Sequence, residues 1–385
     1  MRTVSIGVIG CGVISKTYFR DMTSYYGKWL RIAAVADLDL EAAMRAAEAF
    51  GIPRACTTEE LLADPEIEIV VNLTVPAVHA EVDRQILNAG KHVYSEKPLA
   101  MSMEEADEIL RLAEQRKLMV CCAPEPFLNG GQQTARKALD DGKIGRPILV
   151  TANMVKNGPE TWHPNPEFYY RAGGGPMLDM APYYLTALVA LLGPIAKVSC
   201  FSVRSSEQRM IYSQPRKGEM MPVSVDTTFV GLLEFASGVL ANLTMSFDVW
   251  RSDLPNIQIY GSDGTLRVTD PDLTRGVTSL YRKENITEHL DQEIYFGNRY
   301  ADQQQELYEE LPMVIPEPEE FMRGLGVLDM AFALVNGRQP RASATLSYHV
   351  TEVMYALMRS AEENKPQQIH SSCERPAPVQ PGEFD

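Results

Sequence analysis

The segment Glu96-Lys97-Pro98 places an acid and an amine directly after the apolar run "VYS", which has the composition of a buried strand. A lysine is a poor base in water, where its pKa is about 10.4. Burial and a neighbouring positive charge both lower that value, so that proton transfer at neutral pH becomes feasible. Lys97 is therefore a candidate acid–base group. The alternative is an ordinary solvated surface lysine.

A glycine-rich loop follows the first strand-like run, "TVSIGVIG". Gly10 has the place of a tight-turn residue, and Gly12, without a Cβ, would let a pyrophosphate approach the backbone. Ser15 stands where the dinucleotide fingerprint has Gly or Ala, and it is still small enough for close helix–strand packing. The alternative is a pair of turn glycines. The candidate loop consists of Gly10, Cys11, Gly12, Val13, Ile14 and Ser15.

Asp37 ends the second strand-like run, "RIAAVAD", downstream of the glycine loop. A carboxylate at this position accepts hydrogen bonds from both ribose hydroxyls and repels a 2′-phosphate. The next arginine is Arg45, so the segment favours NAD over NADP. Asp37 could instead cap the helix predicted over residues 40–50, although Asp39 fits that role better.

Two segments in the second half of the chain could bind a substrate. The loop "GPETWHPNPEFYYRAGGGP" combines aromatic rings with hydrogen-bonding groups, which suits a sugar ring or another polyol. The alternative is that these aromatic residues only pack a domain junction. The candidate residues of this loop are Trp162, His163, Tyr169 and Arg171.

In "GGGPMLDMAPYYL", Asp179 is the only charge among apolar neighbours. A buried carboxylate is costly unless it is paired or protonated, which points to a functional role. Tyr183 lies four residues later, on the same face of a continuous helix. Pro182 perturbs or starts the helix here, so this geometry stays open. The alternative for Asp179 is a carboxylate opposing a helix dipole.

The surrounding elements predict an α/β protein of two domains. Over residues 1–123, near-continuous apolar strands alternate with helices, which predicts a doubly wound parallel sheet of the Rossmann type. Over 124–365, longer strands of alternating polarity predict an α+β domain with a large open, mostly antiparallel sheet. A long helix over 343–363 is expected to return to the first domain, and residues 366–385 read as a loose tail.

Composition narrows the class of protein further. The chain has 385 residues and a formal net charge of −15, which argues against nucleic acid or an anionic membrane as a partner. No apolar run reaches the length of a membrane span, and no signal peptide is recognisable. Six cysteines without C-x-x-C spacing predict reduced thiols, no metal site and a cytoplasmic location.

The motifs together resemble the glucose–fructose oxidoreductase, inositol dehydrogenase and rhizopine-catabolism (Gfo/Idh/MocA) family of NAD(P)-dependent oxidoreductases. The similarity covers most of the chain and is most specific at "EKP". The matching segments are "GVIGCGVIS", "VAD", "TVPAVH", "EKP", "GGGPMLDMAPYY" and "YGSDGTLRV".

The resemblance implies roles for further residues. Lys97 would lie beside the nicotinamide, Glu96 would hold the nicotinamide ribose, and Pro98 would fix the backbone, with a cis bond as one option. Thr74, Pro76 and His79 would line the cofactor crevice, although His79 reads equally as a buried structural histidine.

The family also places an Asp at Asp179, near the substrate, and a His four residues later, where this chain has Tyr183. A tyrosine can donate a hydrogen bond but titrates near 10, so proton relay by that histidine is lost. His163 is a candidate replacement.

The sequence therefore predicts an NAD-dependent dehydrogenase acting on a secondary alcohol of a sugar, polyol or inositol-like substrate. It would form a homodimer or homotetramer through the open sheet. Two alternatives stay open at this point. One is a redox-neutral enzyme with tightly bound NAD that cleaves glycosides or transfers hydride between sugars. The other is a non-catalytic NAD-binding regulator.

Overall fold

The computed structural model describes residues 2–287, 307–316 and 320–384. The chain divides into two compact units, each built from three segments. The first unit comprises Met1–Glu125, Met322–Met354 and Ser371–Pro376, and the second comprises Pro126–Phe321, Tyr355–His370 and Ala377–Asp385. The domain boundaries that the sequence predicts at residues 123 and 365 remain predictions.

A six-stranded parallel sheet forms the centre of the first unit, as the apolar runs predicted. All six residues of its first strand are buried, which is expected of a parallel sheet covered on both faces. The strands follow the order β3-β2-β1-β4-β5-β6, so the chain reverses direction across the sheet beside β1. The strands are β1 (Val4–Ile9), β2 (Leu30–Ala36), β3 (Ala55–Cys56), β4 (Ile69–Asn72), β5 (His92–Ser95) and β6 (Val120–Cys122).

Helices connect these strands, and their ends match the capping residues in the sequence. Thr57 and Glu60 form a complete capping box. Further along the chain, Ser102 accepts from the Glu105 N–H, whereas the Glu105 carboxylate accepts from the Met101 N–H. The helices of this part are α1 (Ser15–Arg20), α2 (Leu40–Phe50), α3 (Thr58–Leu62), α4 (His79–Asn88) and α5 (Met103–Arg116).

The second unit contains a nine-stranded sheet in the described residues, mixed but mostly antiparallel, as expected. Its strand Thr228–Phe235 alternates strictly between exposed and buried residues, which leaves one sheet face to solvent. The expected hairpin turns at Gly238, whose φ is 84°. In spatial order the strands are β16 (Glu309–Glu310), β15 (Ser279–Arg282), β14 (Gly264–Val268), β13 (Ile257–Gly261), β7 (Pro147–Val155), β12 (Leu240–Ser246), β11 (Thr228–Phe235), β8 (Ile195–Val203) and β17 (Gln367–Gln368).

Helices cover the other face of this sheet, and a small ribbon of two strands adds to the unit. The helix over Ala181–Leu192 is apolar and almost entirely buried. The helix over Gly130–Asp140 begins with two glycines, and a Cβ on either would lie within 2.5 Å of a backbone oxygen of another segment. The further elements of the second unit are α6 (Gly130–Asp140), α7 (Gly175–Asp179), α8 (Ala181–Leu192), β9 (Gln208–Met210), β10 (Met220–Pro222) and α9 (Glu284–Thr287). Helix α10 (Leu325–Asn336) belongs to the first unit, and α11 (Ala344–Glu363) has residues in both.

The end of the chain is more ordered than its proline content suggested. Helix α11 spans Ala344–Glu363, close to the predicted 343–363, and the Tyr348 hydroxyl donates to Asp107 within the first unit. The tail then adds β17 to the edge of the second sheet, and the Val379 N–H donates to Gln133.

Among the helices of the described residues, none combines the length and the hydropathy that a membrane-spanning segment needs.

Candidate active site

The glycine loop lies at the carboxyl end of β1 and has the geometry that its residue types predicted. Gly10 has a φ of 105°, and a Cβ there would lie 2.6 Å from the carbonyl group of Leu73. At Gly12, a Cβ would meet no atom within 4 Å, so the space over this backbone is open. The Ser15 hydroxyl donates to the Gly12 carbonyl at 2.7 Å. Serine therefore closes the loop as well as being small.

Asp37 follows β2 and supports the glycine loop from the side. Its carboxylate accepts from the Cys11 N–H at 2.7 Å and from the Asp39 N–H at 2.9 Å. Asp39 caps α2 by accepting from Glu41, so the helix-capping role falls to Asp39, as expected. Arg45 pairs with Asp39 at 3.3 Å. The first arginine after Asp37 along the chain thus has an acidic partner.

These features fit a dinucleotide. The open space over Gly12 is the cradle that a Cβ would fill, and the Asp37 carboxylate carries one negative charge at the end of the neighbouring strand. Three large apolar side chains remain exposed on the loops after β1, β2 and β4, where an adenine or nicotinamide ring needs apolar contact. They are Val13, Leu38 and Val75. NAD bound here would supply a hydride acceptor, with Gly10, Gly12, Val13, Ile14 and Asp37 holding its phosphates and ribose.

Lys97 follows β5, whose carboxyl end lies at the same edge of the parallel sheet. The Glu96 N–H still donates to the Asn72 carbonyl of β4, and the chain leaves the sheet immediately afterwards. The Lys97–Pro98 peptide is cis. Glu96 is buried, whereas Lys97 is half-buried. The lysine therefore follows the last residue that the sheet fixes directly.

His79 lies in the interior, with only 1% of its surface exposed. Its Nδ1 is 2.9 Å from the Pro98 carbonyl oxygen and its Nε2 is 3.0 Å from that of Thr74. This geometry favours the structural interpretation of His79 over direct contact with a cofactor, because both ring nitrogens already face protein oxygens. Thr74 itself donates to Asn72 through both its N–H and its hydroxyl. Pro76 begins the short helical turn after it.

In the second unit, three aromatic rings surround His163. The ring centroids of Trp162, Phe168 and Tyr169 lie 5.3, 5.2 and 5.4 Å from that of the histidine, all edge to face. Trp162 and Phe168 are mostly exposed, so the cluster offers apolar ring surface to solvent. The structure thus brings together three of the residues predicted for substrate binding or catalysis.

A backbone contact fixes the protonation pattern of His163. The Asn165 N–H donates to Nδ1 at 3.0 Å, so that this nitrogen is an acceptor and the proton of the neutral ring is on Nε2. Burial lowers the pKa of His163, while the negative charge of Asp179 opposes that decrease. A neutral ring with hydrogen on Nε2 donates a hydrogen bond there, and uptake of a proton would require Nδ1 to leave the Asn165 N–H. The acid–base role of His163 stays a prediction.

Asp179 and Tyr183 do not share one continuous helix. Asp179 is the last residue of α7, and α8 begins at Ala181 with Pro182 in its first turn. The four-residue spacing therefore does not by itself place the two side chains on one face. Tyr183 is largely buried and Asp179 is half-buried. Arg171 is exposed and pairs with Glu167 at 2.6 Å.

A buried ionic cluster that the sequence did not reveal supports the aromatic loop. The Tyr170 hydroxyl donates to Glu160, and Arg209 donates to Glu160 at 2.6 Å and also to Asp248. Glu160 is 3% exposed, so its charge depends on these donors. Arg209 lies 39 or more residues from each partner. Because no local pattern connects such distant positions, only the fold identifies them.

The sheet order and the crevice at the ends of β1, β2, β4 and β5 define a Rossmann-type dinucleotide-binding protein. The family model described as "Oxidoreductase family, NAD-binding Rossmann fold" matches residues 4–123. The model for the "GFO/IDH/MocA C-terminal domain" matches residues 132–267. The chain belongs to the Gfo/Idh/MocA family and is an NAD-binding oxidoreductase.

The chain is also similar to individual members. It is 31% identical over 183 residues to an uncharacterized oxidoreductase of Schizosaccharomyces pombe, covering 43% of this chain and about half, 48%, of that protein. It is 23% identical over 291 residues to levoglucosan dehydrogenase of Pseudarthrobacter phenanthrenivorans, covering 69% and 73% of the two chains. A solved structure of levoglucosan dehydrogenase in complex with NADH superposes with a TM-score of 0.78 at 18% identity, covering 96% and 100%. At that identity, the superposition shows a shared fold.

Proposed function

We propose that this protein transfers hydride from a secondary alcohol of a sugar, polyol or inositol-like substrate to NAD. The observation that supports this most is Lys97, an amine at the carboxyl end of β5 in the same sheet edge as the glycine loop. An alcohol loses a hydride and a proton when it becomes a ketone. The Lys97 amine takes or relays the hydroxyl proton, and NAD bound in this crevice would supply the acceptor for the hydride.

The residues of the second unit have a different task in this proposal. The exposed rings of Trp162 and Tyr169 suit the apolar face of a sugar ring, and His163 Nε2–H donates to a substrate oxygen. Asp179, Tyr183 and Arg171 complete the predicted substrate contacts. The similarity to levoglucosan dehydrogenase supports a cyclic sugar or anhydrosugar as substrate class.

The test is NADH formation by the purified protein with NAD⁺ and a panel of sugars, inositols and anhydrosugars, followed by absorbance. Lys97→Ala is expected to abolish turnover while NADH still binds. Lys91→Ala is the matched control, because Lys91 is a buried lysine at the opposite end of the same strand, where it donates to the Asp64 and Ile67 carbonyls. Equal loss in both variants would contradict the role of Lys97. No turnover on any substrate, with NAD bound tightly, would favour the redox-neutral or regulator alternatives.

The open sheet face supports a homodimer or homotetramer as the second part of the proposal. Neighbouring strands β8, β11, β12 and β7 expose a continuous set of large apolar side chains, and Val230 pairs with Phe201 and Leu240 with Leu149. Phe201 is 71% and Leu232 63% exposed. Contiguous apolar patches of this kind are typical of protein interfaces. The patch consists of Leu149, Phe201, Val203, Val230, Leu232 and Leu240.

A further inference from the structure

Two tyrosines and two glutamates form a buried cluster beside the Lys97 turn in the first unit. The Tyr18 hydroxyl donates to Glu96 Oε1 at 2.8 Å, and the Tyr94 hydroxyl donates to Glu125 Oε2 at 2.8 Å. The two rings touch edge to face, with centroids 6.4 Å apart. Both tyrosines are fully buried. Two equivalent hydroxyl–carboxylate pairs thus lie side by side, but only one of them involves the residue before Lys97.

Each carboxylate also receives a backbone donor on its other oxygen. Glu96 Oε2 accepts from the Lys97 N–H at 3.0 Å, and Glu125 Oε1 accepts from the Gly324 N–H at 2.9 Å. Hydrogen bonds donated to a carboxylate stabilise its ionised form, which burial otherwise disfavours. Burial and the charge of Glu96 both raise the pKa of Glu125, with burial the larger cause. Both buried carboxyl groups therefore depend on these donors.

Tyr18 connects two parts of the cofactor site that are distant in sequence. It belongs to α1, which begins at Ser15 at the end of the glycine loop, and its partner Glu96 lies 78 residues further on. Because Glu96 directly precedes Lys97 and accepts from the Lys97 N–H, the orientation of its carboxylate is coupled to the backbone of the lysine. The Tyr18 hydroxyl is the only side-chain donor to Glu96 that the described residues show.

We propose that the Tyr18 hydroxyl is a positioning group that keeps the Glu96 carboxylate oriented to accept a hydrogen bond from the nicotinamide ribose. This inference rests on the proposed function, because it takes from it the place of the nicotinamide beside Lys97. Tyr18 acts through Glu96 and needs no contact with the cofactor itself. Each carboxylate oxygen has two lone pairs, so Glu96 can serve Tyr18, Lys97 N–H and a ribose hydroxyl together.

The charge balance around Glu96 determines what removal of the hydroxyl does. Arg323 supplies the positive charge that acts on Glu125 and on Tyr18, and the negative charge of Glu125 opposes a second ionised carboxylate. Without the Tyr18 hydroxyl, the Glu96 carboxylate loses the donor that fixes Oε1, and it is expected to bind the ribose hydroxyl less well. The titratable and charged groups facing Glu96 are Tyr18, Tyr94, Lys97, Cys122, Glu125 and Arg323.

The experiment compares Tyr18→Phe with Tyr94→Phe, which removes an equally buried hydroxyl from the other carboxylate. NADH affinity is measured by fluorescence from about pH 5 to 9, together with the melting temperature of each protein. In Tyr18→Phe, NADH affinity is expected to fall about tenfold, the change that loss of one hydrogen bond to a carboxylate produces. In Tyr94→Phe, NADH affinity is expected to stay at the wild-type value.

Equal losses of NADH affinity in the two variants, or wild-type NADH affinity in Tyr18→Phe, would overturn the proposal. If Tyr18→Phe does not fold, Glu96→Gln takes its place and is expected to bind NADH more weakly; wild-type affinity would refute the proposal. The readout is binding, so a protein that binds NADH normally but turns over no alcohol would contradict only the proposed function.

Discussion

The imidazole of His79 joins the two loops that follow β4 and β5, because its ring nitrogens lie 3.0 Å from the Thr74 carbonyl oxygen and 2.9 Å from that of Pro98. The first of these loops is predicted to line the cofactor crevice, and the second carries Lys97. A single buried side chain thus sets the spacing between a cofactor-binding segment and the proposed acid–base group.

Replacement of His79 is expected to reduce both stability and catalysis. His79→Ala removes the ring N–H donor from at least one of the two carbonyl oxygens, which costs about 2 kcal/mol in the free energy of unfolding. Freedom at the Lys97–Pro98 turn is expected to lower kcat/KM about 100-fold, since small misplacement of a reacting group has effects of this size. Urea denaturation and steady-state kinetics measure the two effects. The control is His370→Ala, because His370 is exposed; similar losses there would contradict the prediction.

Asp37 is expected to determine the choice between NAD and NADP. Asp37→Asn keeps an oxygen that can accept from the Cys11 N–H but removes the charge that repels a 2′-phosphate. The ratio of NADP to NAD affinity should rise at least about tenfold, a change of about 1.4 kcal/mol. Titration of the two reduced cofactors by fluorescence gives this ratio. Glu41→Gln, an exposed carboxylate in the first turn of α2, is the control and should leave the ratio unchanged.

The burial of Asp83 is expected to make the free energy of unfolding depend on pH. Its side chain is fully buried, and burial raises its pKa to about 6, against the hydrogen bond donated by Asn72. A carboxyl whose pKa is higher in the folded state stabilises the fold below its unfolded pKa of about 3.9, and this contribution is lost as the pH rises to about 6. Asp83→Asn should therefore remove a decline on the order of 2 kcal/mol between about pH 4 and 6.

Urea denaturation of wild type and Asp83→Asn at a series of pH values measures this slope. Asp107→Asn is a suitable control, because Asp107 is exposed and accepts from Tyr348 near the surface. Parallel stability curves for wild type and Asp83→Asn would show that Asp83 does not titrate in this range.

Much of this architecture follows from local sequence patterns. Strands of continuous apolar residues alternating with helices predicted the parallel sheet, and Asp39 was the better candidate for the cap of the helix over residues 40–50. Gly10 was predictable because a strained turn against neighbouring backbone accepts only glycine. Strand β3 has two residues and was missed, since so short a segment has no periodicity.

Side-chain partnerships over long sequence distances were not predictable. The pairs Tyr18–Glu96 and Arg209–Glu160 depend on which elements the topology brings together, and nothing in either local segment indicates the partner. His163 shows a related limit. Its residue type suggested acid–base chemistry, but the Asn165 N–H, only two residues away, decides which nitrogen carries the proton. The loop around His163 has no periodic sequence pattern, so the direction in which the Asn165 N–H points could not be predicted from the sequence.

The apolar patch on the open sheet is expected to mediate self-association. Leu232→Lys places a charge at the centre of the patch on β11 and should convert the assembly to a smaller species, since an unpaired charge in an interface is costly. Size-exclusion chromatography with light scattering measures the mass. Leu254→Lys is the control, because Leu254 is similarly exposed in the loop after β12. A monomeric wild type, or a Leu232→Lys protein of unchanged mass, would contradict this assignment of the patch.

The donor role of His163 predicts an order of activity among its variants. Gln can donate through its amide and occupies a similar volume, whereas Phe keeps a ring for the aromatic cluster but has no donor. His163→Gln should therefore retain more of kcat/KM than His163→Phe. The Phe variant is expected to lose about 100-fold in kcat/KM, which is the typical effect of removing one oriented hydrogen-bond donor from an active site. The acidic limb of the wild-type pH profile should persist in His163→Gln, because a neutral donor does not titrate in the reaction. If that limb disappears in His163→Gln, the ring exchanges protons during turnover and Nδ1 must leave the Asn165 N–H.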